Sequence, residues 1–231
     1  EVTIKINHTS RALRIAIAAI LIIVCTHNAR VLGPMAENHM EDKIMDDVKI
    51  YPPPGEEDAS EYYAVSVNGK QVFVYRARVS AVPHNQVWPG YQRPLDQTEM
   101  ASFAYWDMSG PVTVEVVSNR PFERVDIRPT SYGIKPSMEG QKITFQMLRP
   151  GQITVELDGF HHALHLFADP PEEDVPSPDD PNVLYFGPGV HRPGKINLTT
   201  DQIVYVAGGA VVHGSIRASG VSNISVLGRG I

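Results

Sequence analysis

Cysteine is almost absent from this 231-residue chain: Cys25 stands alone, so no internal disulfide can form and stability must come from packing. There is no excess of positive charge either. Twenty Lys+Arg against 26 Asp+Glu give a formal net charge of -6, which leaves no basic surface large enough to make nucleic acid the main partner. A local basic cleft remains compatible with that average. Neither a GxGxxG nor a GxxxxGK pattern is present, so Gly187-Pro188-Gly189 is read as a turn and not as a phosphate loop. What the chain does have is 42% hydrophobic residues, ample for the cores of one large or two small domains.

Long apolar runs are confined to residues 13–25 (LRIAIAAILIIVC), with Arg11 and Arg14 at the front and Thr26-His27-Asn28 behind. A basic n-region before an apolar stretch of roughly 7–15 residues is the pattern of a secretory signal. The run is short for a membrane span, which needs about 20 residues. Residues 1–30 are therefore read as a signal peptide or signal anchor, with a buried helix as the alternative. Membrane contact is expected only through this segment, and the location is extracellular or periplasmic. Cys25 sits where a lipoprotein cysteine would, but the bulky Val24 before it argues for an unmodified thiol. Residues 31–58, closing on Pro52-Pro53-Pro54-Gly55-Glu56-Glu57-Asp58, read as a tether. The sequence opens on Glu1 and not on Met, so processing or a longer reading frame is expected.

Residues 59–168 alternate polar and apolar positions. Asn68-Gly69 between YYAVSV and KQVFVYRARV is a strong signal for a hairpin with a two-residue type I′ turn. Further period-two runs at 100–106, 112–117, 124–127, 142–148, 152–157 and 163–167 are separated by Gly, Pro and Asn. Seven or eight short strands without a convincing helix predict an antiparallel β-sandwich. The Thr/Glu sides of 112–117 and 153–157 read as solvent-facing scaffold.

Within this region the aromatic set Trp88, Tyr91, Phe103, Tyr105 and Trp106 could stack on sugar rings, with sandwich core or an interdomain seam as the plainer reading. His161-His162-Ala163-Leu164-His165 invites a metal site. On a strand, however, His161 and His165 would lie about 13 Å apart. A zinc ion with ligands at roughly 2.0–2.1 Å cannot span that distance, so no metal or cofactor is expected. Asp158-Gly159 reads as a turn.

Residues 169–182, rich in proline and acid, read as an extended linker whose carboxylates are spacer charges. Then VLYFGPG (183–189), IVYVAGG (203–209) and ISVLGRG (224–230) align, with opening aliphatics and closing glycines recurring at steps of 20 and 21. A constant step of that size marks a solenoid. The leucine and asparagine ladder of leucine-rich repeats is absent, so residues 183–231 are read as the start of a parallel β-helix. Runs 210–212 and 215–217 supply two further strands of the middle coil, with Gly208-Gly209 and Gly214 at corners. An unfinished third coil would leave its aliphatic stack open, so a truncated helix is expected. Val206 is placed inward, and Val206→Asp is expected to unfold the coils.

The stretches YFGPGVH (185–191), VYVAGGAVVHG (204–214) and VLGRGI (226–231) resemble the opening coils of pectin-lyase-fold glycoside hydrolases, polygalacturonase-like (family 28) or dextranase-like (family 49). The latter join an N-terminal β-sandwich to the helix. The coil resemblance covers about 50 residues, and the domain order extends it loosely over about 170. It implies an all-β fold, an N-terminal antiparallel β-sandwich followed by the first coils of a right-handed parallel β-helix. It also implies a polysaccharide substrate, inverting hydrolysis and a monomeric enzyme.

Glycoside hydrolysis needs two carboxyl groups flanking the bond. The polygalacturonase-like motifs Asn-x-Asp, Asp-Asp, Gly-His-Gly and Arg-x-Lys are missing from the coil region. Asp46-Asp47 and Asp179-Asp180 match only a dipeptide in linker sequence, and His213-Gly214 follows Val212 where the family needs Gly. No catalytic residue is therefore assigned; the catalytic groups are expected C-terminal to Ile231, and substrate-binding residues are left open. Asn197-Leu198-Thr199 and Asn223-Ile224-Ser225 are glycosylation sequons, read as turn residues. A polysaccharide lyase or epimerase of the same fold, or a noncatalytic adhesin or tailspike-like binder, are the alternative functions. The sandwich is read as a cap on the first coil, with a carbohydrate-binding module as the alternative.

Overall fold

The computed structural model describes residues 48–80 and 98–231, all within one unit, Met45–Ile231. The readings of the signal segment, Cys25, Asp46-Asp47, Trp88 and Tyr91 lie outside the described residues. Within them the chain is all-β, interrupted by a single 3-10 turn at Thr130–Tyr132, and no helix is long and apolar enough to cross a membrane.

Ten strands between residues 63 and 169, against the seven or eight expected, form two sheets, joined by one short strand ahead of them. The first sheet contains β1 (Val48–Lys49), β4 (Tyr75–Ser80), β5 (Thr98–Met108), β7 (Val125–Arg128), β10 (Gly151–Leu157) and β11 (Leu164–Asp169). Its order is β1-β5-β11-β10-β7, and β4 also pairs with β5. The second is wholly antiparallel: β2 (Tyr63–Val67), β3 (Lys70–Val72), β6 (Val112–Ser118), β8 (Ser137–Glu139) and β9 (Lys142–Met147), in the order β3-β2-β6-β9-β8. Period-two alternation sends Val65, Val114, Ile143, Val155, Leu166 and Trp106 into one shared core. Each such side chain, fully removed from water, contributes about 1.5–3 kcal/mol. The Asn68-Gly69 turn is as expected: both residues have positive φ, 48° and 78°, and Val67 faces Lys70 across it.

Four expectations need correction. The run 70–79 is not one strand, because the chain crosses between sheets at Phe73-Val74; Val72 and Val74 thereby enter the same core from two sheets while Tyr75 turns outward. The first sheet is not purely antiparallel. The β10-β11 hairpin slots β11 between β10 and β5, and β11 then runs parallel to β5, Leu164 opposite Ser102. Residues 48–58 are not tether: Val48 pairs with Met108 and is 2% exposed, Tyr51 is buried, and Glu56 pairs with Arg192. Nor is 169–182 wholly a solvated spacer, since Asp169 ends β11 and Glu172 accepts the Tyr205 hydroxyl proton bond at 3.0 Å.

From Val183 onward pairing becomes parallel. Strands β12 (Val183–Phe186), β14 (Ile203–Val206) and β16 (Ser225–Gly228) form one sheet, and β13 (Gly189–Asn197) and β15 (Ala210–Arg217) another. Val204 is fully buried beside Ile196 and Leu198, with Leu184, Phe186, Val206 and Ile224 packed against them. The predicted step of 20 between the first two segments holds, Val183 facing Ile203. The next is 22, because Ile203 faces Ser225 and not Ile224. Gly228, at φ 121°, lies so close to the Val206 carbonyl that a Cβ would collide with it, so the chain shifts by one to seat this glycine there. Residues 210–217 form one strand and not two. Gly214 bends it against Gly194, where the register to β13 also shifts, and that neighbouring strand was not anticipated.

Candidate functional site

The outer face of the first sheet carries the side chains that alternation turns away from the core: Glu99, Phe103, Tyr105 and Asp107 on β5, His165, Phe167 and Asp169 on β11, Thr154 and Glu156 on β10, and Arg128 on β7. Half of this face is covered by the parallel strands. Phe103 and Phe167 pack on a cluster of Tyr51, Tyr75, Tyr105 and Val211. Tyr75 stacks on Phe103 with centroids 5.0 Å apart, and the Gly209 N–H donates to the Tyr105 hydroxyl at 2.8 Å.

At the rim of this seam Asp107, 1% exposed, accepts from the Tyr51 hydroxyl at 2.6 Å and from Arg229 Nε at 3.1 Å. Arg229 also donates to the Pro170 carbonyl at 2.8 Å. Burial, reinforced by the bond to Asp107, pushes the Tyr51 phenol far up; burial and the neighbouring Tyr105 do the same to Tyr75. Burial alone would lower the Arg229 guanidinium, but the Asp107 carboxylate, with Asp169 behind it, leaves it raised. The two phenols and the guanidinium are thereby held in their ordinary protonation states, and both Asp107 oxygens are committed to hydrogen bonds. That is a structural clasp and not an acid/base pair.

The other half of the face is open. Two adjoining depressions of about 310 Å³ and about 340 Å³ share Arg128, Thr154 and His165. Glu99 accepts from His161 Nδ1 at 2.7 Å, and Arg128 Nε donates to Glu156 at 3.2 Å. Phe160, 49% exposed, lies against the His161 ring with centroids 4.3 Å apart. Hydroxyl, imidazole, carboxylate and an exposed ring together suit contact with sugar hydroxyls and a pyranose face. Both carboxylates are already engaged by neighbours, so the groove can bind but is not arranged to protonate a leaving group.

Burial lowers the pKa of His165, whose Nδ1 lies 3.0 Å from the Thr154 hydroxyl. Below the ordinary value of about 6.5 the unfolded chain takes up this proton and the folded one resists, so stability is full above that pH and declines beneath it. The thermal midpoint of the wild type is expected to fall between pH 7 and pH 5 more than that of His165→Gln. Parallel melting curves of the two proteins over that range check this; identical slopes would rule it out.

No family model matches the chain, and none of the curated proteins compared matches it. Among solved structures, Dex49A from Penicillium minioluteum superposes with a TM-score of 0.60 at 20% sequence identity. The match covers 79% of this chain and 47% of that protein, so the chain spans about half its length. The two share a fold.

Against that fold the remaining sequence candidates fall into place. Trp106 is fully buried in the two-sheet core, while Phe103 and Tyr105 lie in the seam, so these three form no exposed sugar platform. His161 and His162 sit in a turn and not on a strand as expected; β11 starts only at Leu164, after His162 has taken φ 54°. His162 Nδ1 meets the Met100 carbonyl, and the three histidines thus have three separate partners. Asp158 is the turn residue expected, its carboxylate accepting from the Glu123 and Arg124 N–H groups. Asp180 caps the turn at Asn182. His213 Nε2 lies 2.6 Å from Glu57. Asn223 occupies a turn at φ 54°, whereas Asn197 ends strand β13 and is not a turn residue. Of the groove residues, Arg128 escaped the sequence reading, Thr154 and Glu156 entered it only as solvent-facing scaffold and His165 only as a rejected metal ligand, because each is one polar position in an alternating run.

Proposed function

We propose that this chain is the front part of a secreted, monomeric, polygalacturonase-like glycoside hydrolase. In this reading residues 59–168 are a β-sandwich, residues 183–231 are the opening coils of a right-handed parallel β-helix, and the catalytic carboxylates follow Ile231. The observation that carries it is the change from two mainly antiparallel sheets, in which only the β5–β11 pair is parallel, to wholly parallel pairing from Val183 onward, in the order that the resemblance to pectin-lyase-fold hydrolases anticipates. The fold likeness to Dex49A supports the same reading, as does its covering only 47% of that protein. Tyr105 and Tyr51, clamped onto the Gly208-Gly209 turn, support the sandwich as a cap.

The test is release of reducing ends from polygalacturonate and dextran, measured for this chain and for a product of the same gene that extends beyond Ile231. The longer product is expected to cleave polygalacturonate with inversion, and the 231-residue chain to cleave neither polymer. A folded longer product inert on both would sink the proposal.

A further inference from the structure

A cleft with a volume of about 650 Å³ lies away from the groove, on the outer face of the second sheet. Its lining combines uncharged polar residues, Thr113 on β6 and Thr144 and Gln146 on β9, the first and last directly paired, with the apolar Ile134, Phe145 and Met147. Its walls bring Tyr132, 41% exposed, and Leu148, 69% exposed, into the same concavity. The Arg149 guanidinium lies over the Tyr132 ring, 5.5 Å from its centroid, so one face of that ring already carries a cation.

Charge is what sets this cleft apart. The chain as a whole is acidic, at -6, yet the only charged side chains lining the cleft are Lys135 and Arg149. Among the described residues neither forms an ion pair, which is equally true of Lys49, Arg78, Arg120, Lys195 and Arg217, but these two line one concavity with no carboxylate in it. Two unpaired cations beside an aromatic ring, with hydroxyls and a carboxamide in the same lining, match a ligand that joins an anion to a polyhydroxylated ring. A guanidinium takes a carboxylate through two parallel hydrogen bonds, and an aromatic face packs on the apolar face of a pyranose. An apolar peptide would use the apolar part of the lining but leave both cations unpaired.

We propose that this cleft is a noncatalytic binding site for an anionic sugar residue of a polysaccharide, its acid group held by Arg149 and Lys135 and its ring resting beside Tyr132. The polymer class rests on the hydrolase reading above; the site itself involves none of that enzyme's catalytic groups. Binding to the full 231-residue chain can be followed by calorimetry with tetragalacturonate, a sulfated oligosaccharide of equal length, and neutral isomaltotetraose. One or both anionic probes are expected to bind, the tighter naming the acid group, with affinity falling as salt rises. The Arg149→Ala and Lys135→Ala double variant is expected to lose about tenfold or more in affinity. Its melting temperature should hold, because both side chains are exposed. Tyr132→Phe should bind as wild type and Tyr132→Ala weakly.

Equal binding of the neutral probe, no binding of any probe, or undiminished binding by the double variant overturns the site. Tetragalacturonate bound by this chain while the folded longer product cleaves neither polygalacturonate nor dextran leaves the site standing and removes the hydrolase reading. Cleavage without binding here does the reverse.

Discussion

Val204→Asp is expected to lower the melting temperature of this chain by about 6–20 °C. Val204 is fully buried, its neighbours Ile196, Leu198 and Val206 offer no polar atom from their side chains, and both flanking strands of its sheet hold it in place. A carboxylate forced into such a site must stay charged without a partner or take up a proton, and either outcome costs about 3–5 kcal/mol. For a domain of this size 1 kcal/mol corresponds to about 2–4 °C. The control is Val226→Asp. Val226 faces Val204 in register on the next strand but is 55% exposed, so its replacement should fall within about 0.5 kcal/mol of the parent. Val206→Asp, at a half-buried position, should fall between the two. Thermal unfolding followed by circular dichroism ranks the three, and equal melting of Val204→Asp and parent would show that Val204 does not point inward.

The second large effect belongs to the clasp at Asp107. Asp107→Asn keeps the shape of the side chain but removes the charge facing Arg229, whose side chain is only 23% exposed. The guanidinium keeps its bond to the Pro170 carbonyl, yet its charge is then stranded in a partly buried seam. Tyr51, whose hydroxyl donates to the other Asp107 oxygen, also loses its best acceptor. Removing one partner of a buried pair costs about 3–5 kcal/mol, whereas removing both costs less. Arg229→Leu added to Asp107→Asn should therefore restore about 1–3 kcal/mol relative to the sum of the single changes. Denaturant titrations of the four proteins complete the cycle, and strict additivity would mean that Asp107 and Arg229 do not act together.

How much of this was legible beforehand follows from the range over which each signal acts. Local signals read well. Asn68-Gly69 announced its turn because two adjacent residues tolerate positive φ, and 112–117 announced β6 because three valines alternate with polar neighbours. The return of an aliphatic strand after 20 residues was visible because each turn of a stack must present the same kind of side chain to the one below. The two-residue strand β1 was hidden, since Val48–Lys49 is too short to show a period and is followed by three prolines. β13 was hidden by Pro193-Gly194 in its middle. The clasp was beyond reach altogether: Asp107 and Arg229 are 122 positions apart, and nothing near either residue names the other. The groove and the cleft share that difficulty, because outward-facing Thr, Gln, His and Arg look like ordinary solvated positions until neighbouring strands bring them side by side.

The single hydrogen bond from the Gly209 N–H to the Tyr105 hydroxyl has a wider meaning for how such proteins are assembled. It ties the main chain of the parallel stack to a side chain of the first sheet, at the spot where Tyr51 presses on Gly208. The two halves therefore behave less like beads on a string than like a lid ground to fit its own jar. Exchange of the front half between proteins would succeed only where the recipient supplies small residues at that turn and a cation to meet Asp107, and grafts lacking either should leave Tyr51 and Tyr75 facing water.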